Sequence, residues 1–460
     1  MVEPTPEASA TTGLPDPDGE LRALVSDCVH CGFCLPACPT YQLWGEEMDS
    51  PRGRIHLMGQ ILDEGHGSEA AALHLDRCLG CMACVPACPS GVRYDRLIEA
   101  ARTWSESEPQ GDAPSVLPPR SRRDRALRAA IFATFPYPAR LRLLLAPLWA
   151  AKRTGLDKLA IRNSLLGRLA PEAVAALSVA PDRSAARRGG LPVRVPARGS
   201  RRAVIGMLTG CVQAVFFPQV NEATARVLSA EGCDVVVPQR QSCCGALSLH
   251  SGRRAEAAAF ARRAIQTFEQ AGVDAVIVNA AGCGSAMKEY AELLADDAVW
   301  ASRASALSAK VRDFSESLAE LGPVATRSEL PVKVAYHDAC HLGHAQRIKA
   351  QPRSLLHGVP GLTLTEIADG AICCGSAGIY NLVQPQAAAE LGARKAQAVR
   401  DTDSQLLVSA NPGCSLQISQ ALASQGISLP MAHIAEVLDA SIRSLPAEAL
   451  LNASAPNTRS

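Results

Sequence analysis

From residue 203 onward, short apolar runs alternate with longer stretches whose apolar residues recur at helical spacing. The runs AVIGMLTG (203–210), DVVVP (234–238), DAVIVNA (274–280), VKVAYHD (332–338) and QLLVSA (405–410) read as strands. The stretches near 218–231, 253–271 and 386–400 read as helices. Strands alternating with helices predict a parallel α/β arrangement, in which ligands gather at the carboxyl ends of the strands. Upstream, residues 125–178 carry helix-spaced apolar positions around 126–135, 141–148 and 159–169. The most apolar stretch, 131–151, is interrupted by Pro136, Pro138, Arg140, Arg142 and Pro147, so no membrane-spanning helix is expected.

The strand-and-helix region is a duplication, and cysteine marks it. In the first copy Cys211 follows the first strand, Cys243-Cys244-Gly245 follows the second and Cys283 follows the third. In the second copy the same places hold Cys340, Cys373-Cys374-Gly375 and Cys414. The spacing from the first Cys to the pair is 32 residues in one copy (211 to 243) and 33 in the other (340 to 373). From the pair to the last Cys it is 39 (244 to 283) and 40 (374 to 414). Such agreement marks an internal repeat, and it predicts four thiolates gathered at one sheet rim per copy.

Composition adds a redox context. The chain has 460 residues, a net charge of +1, 47 % hydrophobic residues and 17 Cys. The near-neutral balance gives no sign of a nucleic-acid binder. The first 20 residues are acidic and rich in Pro and Thr, unlike a secretory signal, so the thiols are expected in a reducing cytoplasm. Two runs then carry the most specific chemistry: Cys28-x-x-Cys31-x-x-Cys34-x-x-x-Cys38-Pro39 and Cys78-x-x-Cys81-x-x-Cys84-x-x-x-Cys88-Pro89. This is the ferredoxin spacing for two [4Fe–4S] clusters, in which three Cys of each run hold one cluster and the fourth crosses to the other. Cluster one is therefore assigned to Cys28, Cys31, Cys34 and Cys88, and cluster two to Cys78, Cys81, Cys84 and Cys38. Zinc sites use paired C-x-x-C units rather than this double run. Gly32 and Gly80 leave room for backbone N–H groups near the cluster sulfides.

For the repeats the cargo stays open. Cys211, Cys243, Cys244 and Cys283, and likewise Cys340, Cys373, Cys374 and Cys414, suffice for an iron–sulfur cluster or a zinc ion, and buried structural thiols are the plain alternative. Cys233 opens a strand-like run and reads as a core residue. His337, His341 and His344 flank Cys340; they suit a metal ligand or a hydrogen-bonding neighbour, and four Cys already complete a set, which favours the second role.

The paired repeats resemble the CCG domains of heterodisulfide-reductase-type iron–sulfur subunits. In the fullest form of that family the last Cys belongs to a C-x-x-C pair, whereas this chain has Cys283-Gly-Ser-Ala286 and Cys414-Ser-Leu-Gln417. The order of parts, two ferredoxin motifs and then two CCG repeats, is similar to the iron–sulfur subunits of glycolate oxidases. The likeness is carried by CVHCGFCLPACPTY (28–41), SPRGRI (50–55), CLGCMACVPACPSGVRY (78–94), CCGALSLHSG (243–252), AGCGSAMKEY (281–290), YHDACHLGHAQ (336–346), CCGSAGIYN (373–381) and NPGC (411–414). Iron–sulfur subunits of lactate and glycerol-3-phosphate systems share the plan. The resemblance implies that a separate FAD subunit oxidises glycolate to glyoxylate and that this chain, not catalytic alone, passes electrons towards a quinone. A catalytic CCG protein reducing a disulfide is the competing class.

The fold expected is a helical two-cluster ferredoxin-like domain followed by a duplicated α/β domain. Its parts are a disordered start (1–20), the cysteine-rich domain (21–100), a linker with a basic helical segment (101–202), two repeats (203–325 and 326–445) and a loose tail (446–460). Residues 180–202 are expected not to pack. The segment 120–168 holds twelve Arg and Lys against only Asp124 and Asp157. With LRLLLAPLWA (141–150) it suits peripheral contact with an anionic membrane on the cytoplasmic face, and equally a solvated helix pair or an acidic partner subunit. No flavin, nicotinamide or P-loop fingerprint stands out, so hydride chemistry is expected on a partner.

Overall fold

The structure is a computed structural model that describes residues 19–106, 115–154 and 190–452. It divides into two compact units. One comprises the described residues up to Cys78 and from Cys84 to Ser121; the other comprises Leu79–Ala83 and the described residues from Arg122 on.

The first unit is helical: α1 (Glu20–Ser26), α2 (Pro39–Trp44), α3 (Pro51–Glu64), α4 (Glu69–Asp76) and α5 (Tyr94–Glu106). Helix α3 starts where Ser50 Oγ accepts the Gly53 N–H at 3.1 Å and Pro51 fills the first turn. It ends at Gly65, whose φ of 81° is the left-handed cap. Ile55, Met58, Ile61 and Leu62 form its buried face. Helix α5 runs to Glu106, so residues 101–106, expected as linker, continue the helix; Ala101 and Trp104 fall on its buried stripe and carry it on.

In the second unit, α6 (Arg122–Thr134) and α7 (Pro138–Thr154) precede two sheets. The first sheet has strands β1 (Arg194–Val195), β2 (Ala203–Leu208), β3 (Cys233–Val236), β4 (Ala275–Val278) and β5 (Val311–Asp313), in the order β1-β3-β2-β4-β5. The second has β6 (Lys333–His337), β7 (Thr363–Glu366), β8 (Leu406–Ser409) and β9 (Met431–Ala432), in the order β7-β6-β8-β9. All pairs are parallel except β1 with β3. Leaving β1 aside, the two sheets have one topology, as the cysteine spacing predicts.

The basic segment expected to stay unpacked is partly ordered. Residues 194–195 add an antiparallel edge strand, held by Arg194 against Asp234 at 2.5 Å and by the Ala197 N–H on the same carboxylate at 2.8 Å. The acidic side chain at the sheet edge supplies the partner that the basic run lacks locally. The tail also departs from expectation: residues 448–451 form a helical turn whose Leu450 is buried. The expected helix at 159–169, residues 1–18 and residues 453–460 lie outside the described residues.

Four helices join the sheets. Helix α8 (Pro218–Ala230) packs on α13 (Ile434–Ile442), and α10 (Phe314–Leu321) packs on α11 (Ala350–His357). Each pair takes one helix from either repeat at corresponding places, so the contact is pseudo-twofold. One core results, with Ile205, Val235 and Leu318 from the first copy and Val334, Val408 and Leu438 from the second. Burying each such side chain contributes about 1.5–3 kcal/mol. The basic helices turn apolar side chains onto the repeats: Ile131 and Phe132 onto Ile379 and Leu382, and Leu141 and Leu145 onto Val215 and Phe216.

Candidate iron–sulfur and thiolate sites

The two ferredoxin loops share an unusual backbone. His30 and Gly32 have φ of 54° and 86°, and the corresponding Gly80 and Met82 have 64° and 59°. Left-handed residues at both places curl each C-x-x-C-x-x-C loop, so only two of the four positions needed glycine for it. Cys28, Cys31, Cys34 and Cys88 line one hollow with Arg52, Ile55 and Tyr94. The hollow gathers the four Cys assigned to cluster one, including the crossing Cys88, and Cys84 of the other set lines it as well. Burial pushes the Cys34 thiol up, opposed by backbone N–H groups of Arg52 and Cys34 itself. Arg52 lies in the first turn of α3, so the helix dipole also favours negative charge there. The loop tip is open: Cys31 is exposed, and Val29 and Phe33 are 68 % and 65 % exposed.

The Cys assigned to cluster two are all buried. Tyr94 donates its hydroxyl to Cys78 Sγ at 3.5 Å, and Cys38 Sγ lies 3.2 Å from Thr40 Oγ1. Arg54, 1 % exposed, is the cation beside them. Burial works against its charge, yet Cys78, Tyr94, Cys38 and Asp49 hold its pKa above the ordinary value. Its guanidinium donates to the His74 carbonyl at 2.6 Å and to Thr40 Oγ1 at 3.1 Å. Asp49, fully buried, receives Arg77 at 2.8 Å and His74 at 3.0 Å. A buried cation beside thiolates offsets the negative charge a reduced cluster would carry. Arg54 was not singled out among the sequence motifs, although it lies four and seven residues before Met58 and Ile61 on the buried stripe of α3. A cation at such a position is a readable signal.

In the first repeat, Cys211 follows β2 and its Sγ lies 3.4 Å from Cys243 Sγ. Cys243 and Cys244 precede Gly245, whose φ of 80° closes the turn. Cys283 sits in the first turn of α9 (Ala281–Lys288), against Cys244. The contact with Cys243, then burial, pushes the Cys211 thiol well up. Tyr290 ties the turn by donating to the Cys244 carbonyl at 2.6 Å.

In the second repeat, Cys340 follows β6 and contacts Cys373, Cys374 contacts Cys414, and Gly375 has φ of 88°. Cys414 lies in the first turn of α12 (Pro412–Ser424) and receives Asn411 Nδ2 at 3.4 Å. Cys374 is held well below its ordinary pKa by hydrogen bonds from Cys373 and Cys414, and then by His337. The three histidines separate. His337 joins Cys374 and Cys414, with ligand atoms all within 4.8 Å of one another. His344 bonds the Ala371 carbonyl at 2.9 Å, and burial lowers its pKa. His341 lies against His250, ring centroids 4.7 Å apart and planes tilted by 46°. The position of a fifth Cys is filled by buried Ala286 in one copy and by Gln417 in the other, which donates to the Ala388 carbonyl at 2.9 Å. Cys233 is a fully buried core residue, its thiol pushed up to about 11 by burial.

Two curled cysteine loops of ferredoxin spacing, followed by duplicated thiolate rims, define a two-cluster iron–sulfur protein of the CCG type. Residues 24–92 match the 4Fe-4S dicluster domain, residues 205–288 and 334–419 match the CCG cysteine-rich domain, and residues 123–178 match the linker region of glycolate oxidase iron–sulfur subunits. A probable glycolate oxidase iron–sulfur subunit of Bacillus subtilis (strain 168) is 38 % identical, over 92 % of this chain and 94 % of its own length. The glycolate oxidase iron–sulfur subunit of Escherichia coli (strain K12) is 36 % identical over 87 % and 91 %. Lactate utilization protein A of an Exiguobacterium strain is 31 % identical over 52 % of this chain and 98 % of its own. The chain belongs to the family of glycolate oxidase iron–sulfur subunits.

Proposed function

We propose that this chain relays electrons, one at a time, from a partner subunit that oxidises glycolate to glyoxylate on FAD. Cluster one, held by Cys28, Cys31, Cys34 and Cys88, is the port to the partner, and cluster two, held by Cys78, Cys81, Cys84 and Cys38, is the inner station. When bound, such clusters supply one-electron storage. The chain's own residues set their surroundings: Arg54 and Tyr94 at the inner thiols, and the N–H groups of the α3 start at the outer ones. The observation that supports the reading is that Cys88, with Cys84, comes from the second run to the hollow lined by Cys28, Cys31 and Cys34. Cross-ligation makes the two clusters neighbours.

The onward acceptor in this reading is a quinone. No described helix is long and apolar enough to cross a membrane. Delivery to a lipid-soluble quinone would then take place peripherally, with the basic α6–α7 segment and the exposed Leu143 and Leu144 as the contact. The CCG rims are the chain's second metal-binding region, each with four Cys.

The test is anaerobic co-purification with the FAD subunit, followed by addition of glycolate, lactate or glycerol 3-phosphate in turn. Glycolate should bleach the iron–sulfur absorption and give a reduced-cluster EPR signal. Reduction by lactate or glycerol 3-phosphate in its place would move the chain to a related system. Disulfide reduction by the chain alone would establish the catalytic alternative.

A further inference from the structure

The two repeats present different atoms at their rims. Aligning the cysteines puts His337 where the first repeat has Leu208, and Ser409 where it has Val278. The strand register agrees: His337 pairs with Ser409 on β6 and β8, and Leu208 pairs with Val278 on β2 and β4. Leu208 and Val278 are fully buried core residues of a clustered apolar layer. His337 and Ser409 are as deeply buried, at 0 % and 1 % exposed, but polar. Neither ring nitrogen of His337 has an oxygen or nitrogen partner, nor has the Ser409 hydroxyl. A buried imidazole without such a partner costs about 1–3 kcal/mol unless another atom satisfies it. The atoms beside it are sulfurs, those of Cys374 and Cys414.

The spacing of these atoms discriminates between cargos. Ligands on one tetrahedral zinc sit about 3.5–3.8 Å apart, given Zn–S near 2.3 Å and Zn–N near 2.0 Å. Thiolates of an iron–sulfur cube bind four different irons, so an iron–iron edge separates them as well. The imidazole nitrogen and the two sulfurs of the second rim lie within 4.8 Å of one another, close enough for a small side-chain shift to bring them onto a single ion. All three residues are buried, as are Cys340 and Cys373, which matches a closed structural site rather than an open catalytic one.

We propose that the second repeat holds one zinc ion on His337 Nδ1 or Nε2, Cys374 Sγ and Cys414 Sγ, with the fourth position taken from the Cys340–Cys373 pair. This deepens the reading of the rims as metal-binding and assigns the second of them a non-redox cargo. The thiols lose their protons on binding, and the neutral imidazole supplies a lone pair. The hydrogen bond from Asn411 to Cys414 steadies one thiolate. The first rim, apolar at the corresponding place, offers sulfur alone and takes no part in the proposal.

The test uses the full chain purified anaerobically. Elemental analysis should find about one zinc per chain beside the cluster iron. Zinc K-edge absorption should show a mixed sulfur–nitrogen shell with imidazole scattering. His337→Leu, which installs the first repeat's residue, should lose that zinc while the reduced-cluster EPR of the ferredoxin domain is unchanged. Should His337→Leu misfold, His337→Cys settles the point: it should keep the zinc and convert the shell to sulfur alone. Full zinc retention by a folded His337→Leu, an all-sulfur shell in the wild type, or iron in place of zinc at this rim would each overturn the proposal. The EPR of the ferredoxin clusters reads the relay separately, so either conclusion can fail without the other.

Discussion

The two CCG repeats share a scaffold and differ where they do chemistry. Strand order, the left-handed glycine after each Cys pair and the pseudo-twofold helix contacts are common to both. The rims diverge, with Leu208 and Val278 in one and His337 and Ser409 in the other. The helix caps diverge too. Helix α10 starts at Asp313 and α13 at His433, corresponding places with the same capping box, made with Glu316 and Glu436. Duplication thus keeps what positions the backbone and frees single side chains to change charge and ligand type.

Separating the repeats should cost most. Glu231 of the first copy is fully buried; it accepts the Val324 and Ala325 N–H groups at 2.6 and 3.0 Å and faces Arg327 at 3.5 Å. Glu231→Ala strands that cation and should cost about 3–5 kcal/mol in denaturant unfolding. A loss under 1 kcal/mol would mean the joining segment is not held from the first copy.

The paired glycines give a graded contrast. A Cβ on Gly375 would lie 2.7 Å from the Ala388 carbonyl oxygen, whereas on Gly245 the nearest atom, Phe260 Cβ, is 3.1 Å away. Both positions have positive φ. Gly375→Ala should therefore cost about 3 kcal/mol and Gly245→Ala about 1–2 kcal/mol. Equal losses would show that strain of the turn alone, and not the close approach, sets the cost.

The smallest effect is in pH. Burial pushes Asp313 up to about 6 from 3.8, so the folded state binds its proton more tightly. That contribution is present below pH 3.8 and is lost as pH rises through 6. Burial lowers His433 to about 4 from 6.5, and its contribution grows as pH rises across that interval. His433 thus opposes Asp313, while burial also pushes its capping partner Glu436 up to about 7 and adds a second falling limb. Asp313→Asn keeps the cap but removes one falling limb, so the variant's unfolding midpoint should fall less steeply with rising pH than wild type's between about pH 4 and 6. Parallel profiles would dismiss the opposition.

Much of this was legible in the chain. Near-equal spacings placed Cys211, Cys243, Cys244 and Cys283 and their counterparts at corresponding places after the strands, because a strand followed by a ligand turn leaves a rigid signature. The ferredoxin loops were equally plain. What escaped were residues whose role depends on a partner far along the chain. Arg54 gains meaning only beside Cys38, Cys78 and Asp49; His337 was a candidate together with His341 and His344, and only β6 and β8 single it out by setting it beside Cys414. The edge strand at 194–195 was hidden for the same reason, since its partner Asp234 is 40 residues away.

The central claim is that eight N-terminal cysteines enclose two cross-ligated cubes close enough to exchange single electrons. EPR of the dithionite-reduced chain, prepared anaerobically, tests it most directly. The account predicts two [4Fe–4S] signals broadened by mutual spin coupling, and Cys88→Ser should perturb the cluster held by Cys28, Cys31 and Cys34 rather than that of its own run. Two uncoupled signals, or a Cys88→Ser effect confined to the cluster of Cys78, Cys81 and Cys84, would contradict it.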